Sequence, residues 1–336
     1  MKKSPLTVYK EQFWTVPPVA TADLSGQTVV ITGANTGLGF EAAKHFASMG
    51  PGKLVLGCRS EVKGREAAEK IKAETGCEVV ELRIVDMASF ASVRAFADSF
   101  EGERVDIFVA NAGVISAGYK TTADGWEESL QINDIATALL CLLLTPRLVE
   151  TGDKYKTNPR LVVVSSDTHY WVSIPDEVYE APSPWKELNK EKYVTRFRYL
   201  QTKLLDIFIM QSLAELLQDT RVIVTSMTPG YCASDLDRGF RAAGGLLGMI
   251  NALRKWLLAR TSEQGARQIV YAAVGSWDDP EKLRGTYLNL HEIQEPSDHA
   301  IGEEGKRRRD ILWADLIGEL SKVDGRVARI AKDYSG

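Results

Sequence analysis

Strand-like and helix-like segments alternate along most of this chain of 336 residues, and the alternation restricts its fold more than any other feature. Continuous apolar strands separated by amphipathic helices are typical of a parallel sheet with helices on both faces. Right-handed connections favour a doubly wound arrangement. We therefore predict an α/β protein with a doubly wound parallel sheet of about seven strands. The strand-like runs are 27–32, 53–58, 78–85, 105–110, 160–165, 221–227 and 286–290, and the helical patterns are 37–49, 61–74, 89–100, 127–150, 199–218 and 262–275.

Three segments outside this alternation define the predicted domain organisation. Residues 1–25 are rich in proline and are expected to form an extended arm on the surface. Residues 26–336 then form a single domain, in which two segments are longer than the alternation requires. Residues 167–197 are an aromatic-rich insertion, and residues 231–260 are a predicted substrate lid. Both follow strands, where sheets of this type bind ligands.

The predicted lid has a second interpretation. It carries an apolar stripe accompanied by Arg254, Lys255 and Arg260, a pattern also found in helices that lie on a membrane surface. A helix that covers the substrate explains the same stripe, and we favour it. The longest apolar run, 135–149, is shorter than the roughly 20 residues that span a bilayer, so we expect a buried helix there.

Net charge and cysteine spacing argue against several classes of function. A net charge of −4 disfavours a dominant role in binding nucleic acid. The basic run 306–309 has acidic neighbours and is expected to be a solvated face. Four scattered cysteines, with no pair at metal-ligand spacing, favour a reduced cytoplasmic protein without a metal site. The N-terminus has no apolar segment of the kind that signal peptides contain.

The stretch "VVITGANTGLG", 29–39, places three glycines directly after an apolar strand. A helix that begins there presents unpaired N–H groups and a positive dipole end, which together form an anion site. Glycine allows a tight turn and a close approach of backbone to ligand. The stretch therefore favours a pyrophosphate-binding turn, although glycines after a strand are also ordinary turn formers.

The end of the next strand indicates which dinucleotide the turn would bind. NAD sites usually carry a carboxylate there, which bonds the ribose hydroxyls. In this chain the strand ends in Cys58 and Arg59, with Lys63 one helical turn further on. A guanidinium suits a 2′-phosphate, so NADP(H) is favoured. The alternative is an ordinary surface arginine.

Tyr199 and Lys203 stand four residues apart and share one face of a predicted helix. An ammonium about 4 Å from the phenol would favour the phenolate by roughly 4 kcal/mol at an effective dielectric constant near 20. That interaction would bring the pKa of Tyr199 from about 10 to near 7, where general acid–base catalysis is efficient. A solvated helix face is the alternative interpretation of the pair.

Taken together, these motifs resemble the short-chain dehydrogenase/reductase family over about residues 25–290. Asn111-Ala112-Gly113 is similar to the family's signature after the fourth strand, and "TPG", 228–230, is similar to its segment beside the nicotinamide. The resemblance implies a Rossmann fold and a catalytic tetrad of Asn133, Ser166, Tyr199 and Lys203. It also implies that the cofactor is contacted by Gly33, Asn35, Thr36, Gly37, Leu38, Gly39, Arg59, Lys63, Asp86, Met87, Asn111, Ala112, Gly113, Tyr199, Lys203, Pro229, Gly230 and Ser234.

The resemblance further implies hydride transfer between NADP(H) and a carbonyl or alcohol group of a small molecule. Tyr199 would be the general acid, and Asn133 would hold a water of the proton relay. "CRSEVKG" and "TSEQGA" resemble the retinol-dehydrogenase-like branch, which often takes lipophilic substrates. The alternative is a regulator that binds NADP(H) without turnover.

One departure from the family pattern bears on assembly. Ser166 and Tyr199 are 33 positions apart, as in monomeric carbonyl reductases that have a long insertion there. We therefore expect a monomer in which residues 167–197 lie against the helix 127–150.

Overall fold

The computed structural model describes residues 3–116, 118–233 and 259–334. Each predicted strand forms, and an eighth strand follows the seventh. The strands are β1 (Thr28–Thr32), β2 (Lys53–Cys58), β3 (Val80–Ile84), β4 (Ile107–Ala110), β5 (Arg160–Val164), β6 (Ile223–Met227), β7 (Thr286–Asn289) and β8 (Glu292–Gln294). They make one sheet in the order β3-β2-β1-β4-β5-β6-β7-β8. Neighbours are parallel from β3 to β7, and β8 is antiparallel to β7.

The helices lie close to the predicted positions, with further ones at both termini and in the insertion. They are α1 (Pro5–Gln12), α2 (Gly37–Ala47), α3 (Glu61–Thr75), α4 (Phe90–Asp98), α5 (Glu128–Tyr155), α6 (Asp176–Tyr179), α7 (Pro184–Leu188), α8 (Arg198–Leu216), α9 (Ser262–Val274), α10 (Gly302–Val323) and α11 (Arg326–Asp333). One π-helical turn, Gln131–Ile135, interrupts α5 near its start.

The strand order reverses at β1, which pairs with β2 on one side and with β4 on the other. Chain connections after β1 and β4 therefore leave in opposite directions and open a crevice at the carboxyl ends of these strands. In doubly wound sheets such a crevice binds the ligand. The topology thus places the glycine turn after β1 and the Asn111 segment after β4 side by side.

Two apolar clusters cover the two faces of the sheet, as the alternation predicts. Val30 points into the cluster formed with α4, α5 and α8. Its neighbours Val29 and Ile31 point into the opposite cluster, formed with α2, α3 and α9. Because successive strand residues face opposite sides, an entirely apolar strand such as β1 is stable only when both faces are covered.

Helix α5 is the long apolar helix that the sequence predicts to be buried. Among the described residues, α5 is the one helix with the length and hydropathy to cross a membrane, and 83% of its most apolar window is buried inside the protein. Such burial is the arrangement of a core helix, in which Leu140 and Leu144, for example, have no exposed surface.

Helices α6 and α7 of the aromatic insertion pack against the C-terminal helix α10, and its first residues pack against α8, which corrects our expectation that it covers α5. Trp185 on α7 is 1% exposed and donates a hydrogen bond from Nε1 to the carbonyl of Leu312, at 2.8 Å. The insertion reaches α5 only at its start, where the Glu127 N–H donates to the side chain of Asn189. The outer faces of α5 and α8 are covered by α11 and α10 instead. An amphipathic C-terminal hairpin of helices was not predicted.

The N-terminal segment is helical at residues 5–12, so the prediction of an extended arm is wrong there. Ser4 caps α1 by accepting a hydrogen bond from Thr7 N–H, and Pro5 occupies the first helical position, where proline is well tolerated. Lys3 and Glu11 then form a buried ion pair at 2.9 Å. Asn289 donates to the same carboxylate, which fastens the arm to the end of β7.

The two predictions about basic residues have different outcomes. In the run 306–309 each side chain pairs with an acidic neighbour; Arg307, for example, pairs with Glu304 at 2.7 Å. Lys306 and Arg307 are solvated as expected, whereas Arg308 and Arg309 are only 17% and 13% exposed. The apolar stripe of the predicted lid lies outside the described residues. Arg260, at the end of that segment, is 6% exposed and donates to the carbonyl of Glu11, so it does not face a membrane surface.

Candidate active site

The glycine turn joins β1 to α2 and has the close backbone packing expected of a phosphate cradle. Gly33 adopts a φ of 70°, which favours glycine. A Cβ at Gly39 would lie 2.5 Å from the carbonyl oxygen of Gly33, so only glycine fits there. Helix α2 begins directly at Gly37, and its first N–H groups face the turn. The residues present therefore fit a pyrophosphate.

Asn111 braces this turn from the neighbouring strand. Its Nδ2 donates to the carbonyl of Thr32 at 2.9 Å. In return, the hydroxyl of Thr32 accepts hydrogen bonds from the backbone N–H groups of Asn111 and Ala112. Sequence reasoning assigned Asn111 to the cofactor and missed Thr32. The structure shows that both residues hold the turn to the end of β4.

The carboxyl end of β2 carries the residues predicted to bind the 2′-phosphate. Arg59 and Lys63 are both exposed. Within the described part of the chain, no side chain forms a hydrogen bond or ion pair with Arg59. Cys58 is 1% exposed, and burial raises the pKa of its thiol to about 11, so it is an apolar packing residue as predicted.

Asp86 and Met87 follow β3 at the edge of the same crevice. The carboxylate of Asp86 accepts a hydrogen bond from the backbone N–H of Ala88 at 3.0 Å, which shapes the loop. The side chain of Met87 is buried in the core, so only its backbone is available to a ligand. Gly113, also assigned to the cofactor, lies against Asn133.

The loop after β6 lies beside the glycine turn. A Cβ at Gly265 on α9 would meet Leu38 of the turn at 2.6 Å and Pro229 of the loop at 3.3 Å, so both are packed on the same patch of α9. Gly230 is enclosed by Arg260 and Gln12, which bring the N-terminal segment to this loop. Ser234, the last predicted cofactor contact, lies outside the described residues.

Tyr199 and Lys203 lie in the first two turns of α8, as their spacing predicts. Lys203 Nζ lies 5.6 Å from the centre of the Tyr199 ring. The ammonium donates to the carbonyl of Val164 at 3.1 Å and to Asp206 at 2.7 Å. The preceding Arg198 forms a buried ion pair with Glu127 at 2.8 Å, which fixes the start of α8 against α5.

The expected lowering of the Tyr199 pKa to near 7 is not what the structure shows. Burial raises the pKa of Tyr199 above its usual value, and the attraction of Lys203 for the phenolate offsets only part of that effect. Burial is the main physical reason, and the negative charge of Asp206 adds to it. Burial disfavours the charged ammonium, yet Asp206 and Tyr199 outweigh it and raise the pKa of Lys203.

Of the two serines after β5, Ser166 is the one with an accessible hydroxyl. Ser165 is 2% exposed, and its hydroxyl donates to the carbonyl of Lys203 at 2.7 Å. Ser166 is half-buried and begins a short 3-10 helix, Asp167–Trp171, that packs against α8. The Ser166 hydroxyl accepts a hydrogen bond from Thr168 N–H at 3.3 Å, and its role in orienting substrate stays a prediction.

His169 fixes the backbone at Ser166 and does not face an open site. Its Nδ1 lies 2.7 Å from the carbonyl of Ser166, and its Nε2 accepts from the N–H of Ser297 at 3.2 Å. The carbonyl requires the proton on Nδ1, so the ring is neutral. Burial lowers the pKa of His169 to about 4, which keeps it neutral over the whole physiological range.

Asn133 lies in the π-helical turn of α5, and its side chain is engaged by protein groups. Its Oδ1 accepts from the N–H of Val114 at 2.8 Å. Its Nδ2 donates to the carbonyl of Val114 and to the hydroxyl of Thr202, both at 3.0 Å. Thr202 in turn donates to the carbonyl of Tyr199. The amide therefore positions the Tyr199 turn, and its N–H groups are not free to hold the expected water.

Two buried aspartates behind this site were missed by sequence reasoning. Asp206 follows Lys203 by three positions on α8, a spacing that could have indicated an ion pair. Asp134 follows Asn133 and is fully buried. Burial raises the pKa of both carboxyl groups, that of Asp206 to about 6. No local pattern marks Asp134, because its burial depends on helices that are distant in sequence.

Comparison with known proteins agrees with this geometry. The short chain dehydrogenase family model matches residues 27–181. The chain is 35% identical over 324 residues to the short-chain dehydrogenase/reductase ffsI of Aspergillus flavipes, covering 95% of this chain and 93% of that protein. It is 37% identical over 315 residues to phmF, a short-chain dehydrogenase/reductase of Phaeosphaeria nodorum, covering 92% and 91%. A solved structure of an uncharacterized protein from Mycobacterium Paratuberculosis has a TM-score of 0.64 and 27% identity, covering 92% and 97%.

The protein belongs to the short-chain dehydrogenase/reductase family. It is thus an oxidoreductase with a Rossmann fold, a nicotinamide cofactor and a small-molecule substrate. The retinol-dehydrogenase-like branch stays a prediction.

Proposed function

We propose that the protein is an NADP(H)-dependent reductase that converts a carbonyl group of a lipophilic small molecule into an alcohol. The observation that carries the proposal is the buried pair on α8, in which Lys203 Nζ lies 5.6 Å from the centre of the Tyr199 ring and burial raises the pKa of the phenol above its usual value. A protonated phenol is the form that donates a proton to a reduced carbonyl oxygen. Oxidation of an alcohol requires the phenolate instead.

The chain's own residues supply the binding and the proton. The turn Gly33–Gly39 would hold the pyrophosphate, and Arg59 would bond the 2′-phosphate. Two of the three N–H donors of Lys203 go to Val164 and Asp206, and we assign the third to a ribose hydroxyl. When bound, NADPH supplies the hydride for the carbonyl carbon.

Ser166 and Tyr199 would bond the carbonyl oxygen of the substrate. As that oxygen gains negative charge, Tyr199 donates its proton and the alcohol forms. A proton from water then restores the phenol. We assign the relay to the main-chain carbonyl of Asn133 in the π-helical turn, because the side-chain amide is engaged by Val114 and Thr202. Positioning and electrostatics are the protein's part of this reaction.

The lipophilic class of substrate rests on the predicted retinol-dehydrogenase-like resemblance and on apolar side chains near the site. Trp171 and Tyr231 follow β5 and β6, and both are partly exposed. We also propose a cytoplasmic protein, since the four cysteines are free and two of them are fully enclosed in the core.

A screen of NADPH oxidation against aldehydes and ketones of graded size tests the proposal. We expect turnover that increases from small polar carbonyls to bulky apolar ones, and a lower rate with NADH. Binding of NADPH, measured by calorimetry, without turnover of any carbonyl would favour the silent regulator instead. A preference for small polar carbonyls would contradict the proposed substrate class.

A further inference from the structure

Lys203 and Asp206 form a buried ion pair at the site. Lys203 Nζ and Asp206 Oδ2 are 2.7 Å apart, and the two side chains are only 8% and 2% exposed. Buried charges of opposite sign at this distance interact far more strongly than exposed ones, because little water screens them. The positive charge of Lys203 is therefore largely balanced before any ligand arrives.

The other buried carboxyl groups nearby do not balance the charge of Lys203. Both carboxyl oxygens of Asp134 lack a hydrogen-bond partner among the described residues, so a charged form would be unstabilised and the group is held neutral. Glu127 is already paired with Arg198 and accepts two backbone N–H groups at the start of α5. Asp206 is thus the counter-ion of Lys203.

We propose that Asp206 is a positioning residue that neutralises Lys203 and thereby keeps Tyr199 in its protonated, proton-donating form. The inference rests on the proposed function, in which Tyr199 donates the proton. An unpaired ammonium beside the ring would favour the phenolate, whereas a nearby carboxylate disfavours it. Asp206 disfavours the phenolate of Tyr199 in two ways: it balances the positive charge of Lys203, and its own negative charge repels the phenolate.

The cysteines near the Lys203–Asp206 pair do not add a charge to the site. Burial raises the pKa of the Cys141 and Cys232 thiols, that of Cys232 to about 12, so both are uncharged. The charged and titratable groups that face the pair are Tyr199 and Arg198 on α8, Glu127, Asp134 and Cys141 at or within α5, and Cys232 after β6.

Ultraviolet titration of the phenol tests the proposal without any substrate. The difference between the wild-type and Tyr199→Phe proteins reports the ionisation of Tyr199 alone. In Asp206→Asn, whose amide has nearly the same size without the charge, we expect the midpoint to move at least about one pH unit lower. Asp134→Asn is the matched control: its carboxyl is already neutral, so the midpoint should stay in place.

The reverse reaction provides a second readout. With an alcohol and NADP⁺, the rising limb of kcat against pH should move lower by a similar interval in Asp206→Asn. An unchanged midpoint in the folded variant, or an equal shift in Asp134→Asn, would overturn the proposal. If Asp206→Asn does not fold, the double variant Lys203→Met/Asp206→Asn decides, because it leaves no unpaired buried charge: a midpoint within about half a pH unit of the wild type supports neutralisation of Lys203 by Asp206, and a larger shift refutes it. Absence of turnover would contradict the proposed function and leave the titration interpretable.

Discussion

At the scale of single residues, the site depends on side chains that never touch a ligand. The hydroxyl of Thr202 accepts from Asn133 on α5 and donates to the backbone carbonyl of Tyr199 on α8. The hydroxyl of Thr32 likewise joins the ends of β1 and β4. Each hydroxyl uses its ability both to donate and to accept. Small polar side chains in these positions fix the distance between elements that carry the predicted catalytic groups.

Tyr199→Phe should reduce kcat of carbonyl reduction by about 10²–10⁴-fold, because it removes only the proton donor. The affinity for NADPH, measured by calorimetry, should stay nearly unchanged. Tyr271→Phe, on α9, is the matched control, since its ring stacks on His291 away from α8. The assignment fails if the Tyr199 variant retains more than about a tenth of the wild-type kcat.

Arg59→Asp should reverse the cofactor preference in favour of NADH. A charge-assisted bond to phosphate contributes about 1.5–3 kcal/mol, and the new carboxylate would also repel the phosphate. The ratio of kcat/KM for NADPH and NADH should therefore fall by at least about tenfold. Arg65→Asp, an exposed change on the helix α3 that follows Arg59, controls for the loss of positive charge. An equal fall in both variants would show that Arg59 does not select the cofactor.

At the scale of elements, the insertion joins the C-terminal helix α10 to the catalytic part of the chain. Trp185 is bonded to two positions of α10: its backbone N–H donates to Asp315, and its indole donates to the carbonyl of Leu312. Thirteen positions further on, α8 begins with Arg198, whose guanidinium pairs with Glu127. The insertion thus packs against α10 on one side and is continuous with the Tyr199 helix on the other.

Trp185→Ala should lower the free energy of unfolding by about 3–5 kcal/mol, because it leaves a cavity and removes an indole hydrogen bond. Denaturant unfolding followed by circular dichroism measures the change. Trp14→Ala is the control, since Trp14 is 59% exposed and its loss should cost little. A loss below about 1 kcal/mol at Trp185 would mean that the insertion contributes little to the core.

At the scale of the whole molecule, α11 and α10 cover much of the outer faces of α5 and α8. Leu316 and Leu320 on α10, with Val327 and Ile330 on α11, are part of the same apolar cluster as α5 and α8. Related proteins that assemble through these two helices need that surface uncovered. The C-terminal helices therefore cover the surface that a second subunit would cover in such proteins. The insertion packs against α10 and holds it in place.

On these grounds we expect a monomer of 37.1 kDa. Sedimentation velocity at several micromolar concentrations measures the oligomeric state. We expect a single species whose sedimentation coefficient does not depend on concentration. A stable dimer or tetramer built on α5 and α8 would contradict the covering role of α10 and α11. Cross-linking between copies at either helix would identify such an interface.

The sequence by itself determined those features of the protein that depend on local patterns of residues. Apolar runs and helical periodicity predicted the seven parallel strands, and the glycine spacing and the Tyr199–Lys203 interval predicted where the turn and the pair would lie. These features depend on residues within a few positions of one another, so they can be predicted before the chain is folded.

Only the tertiary structure decided the electrostatic state of the site and what covers the helices. Burial by distant elements raises the pKa of the Tyr199 phenol, and Lys203 pairs with Asp206 beside it. The N-terminal segment is helical because Glu11 meets Lys3 and Asn289 in the core. Burial depends on segments that can be hundreds of positions apart, as Glu11 and Asn289 are, and a local pair such as Lys203–Asp206 is strong only because such segments bury it. Local sequence patterns do not contain that information.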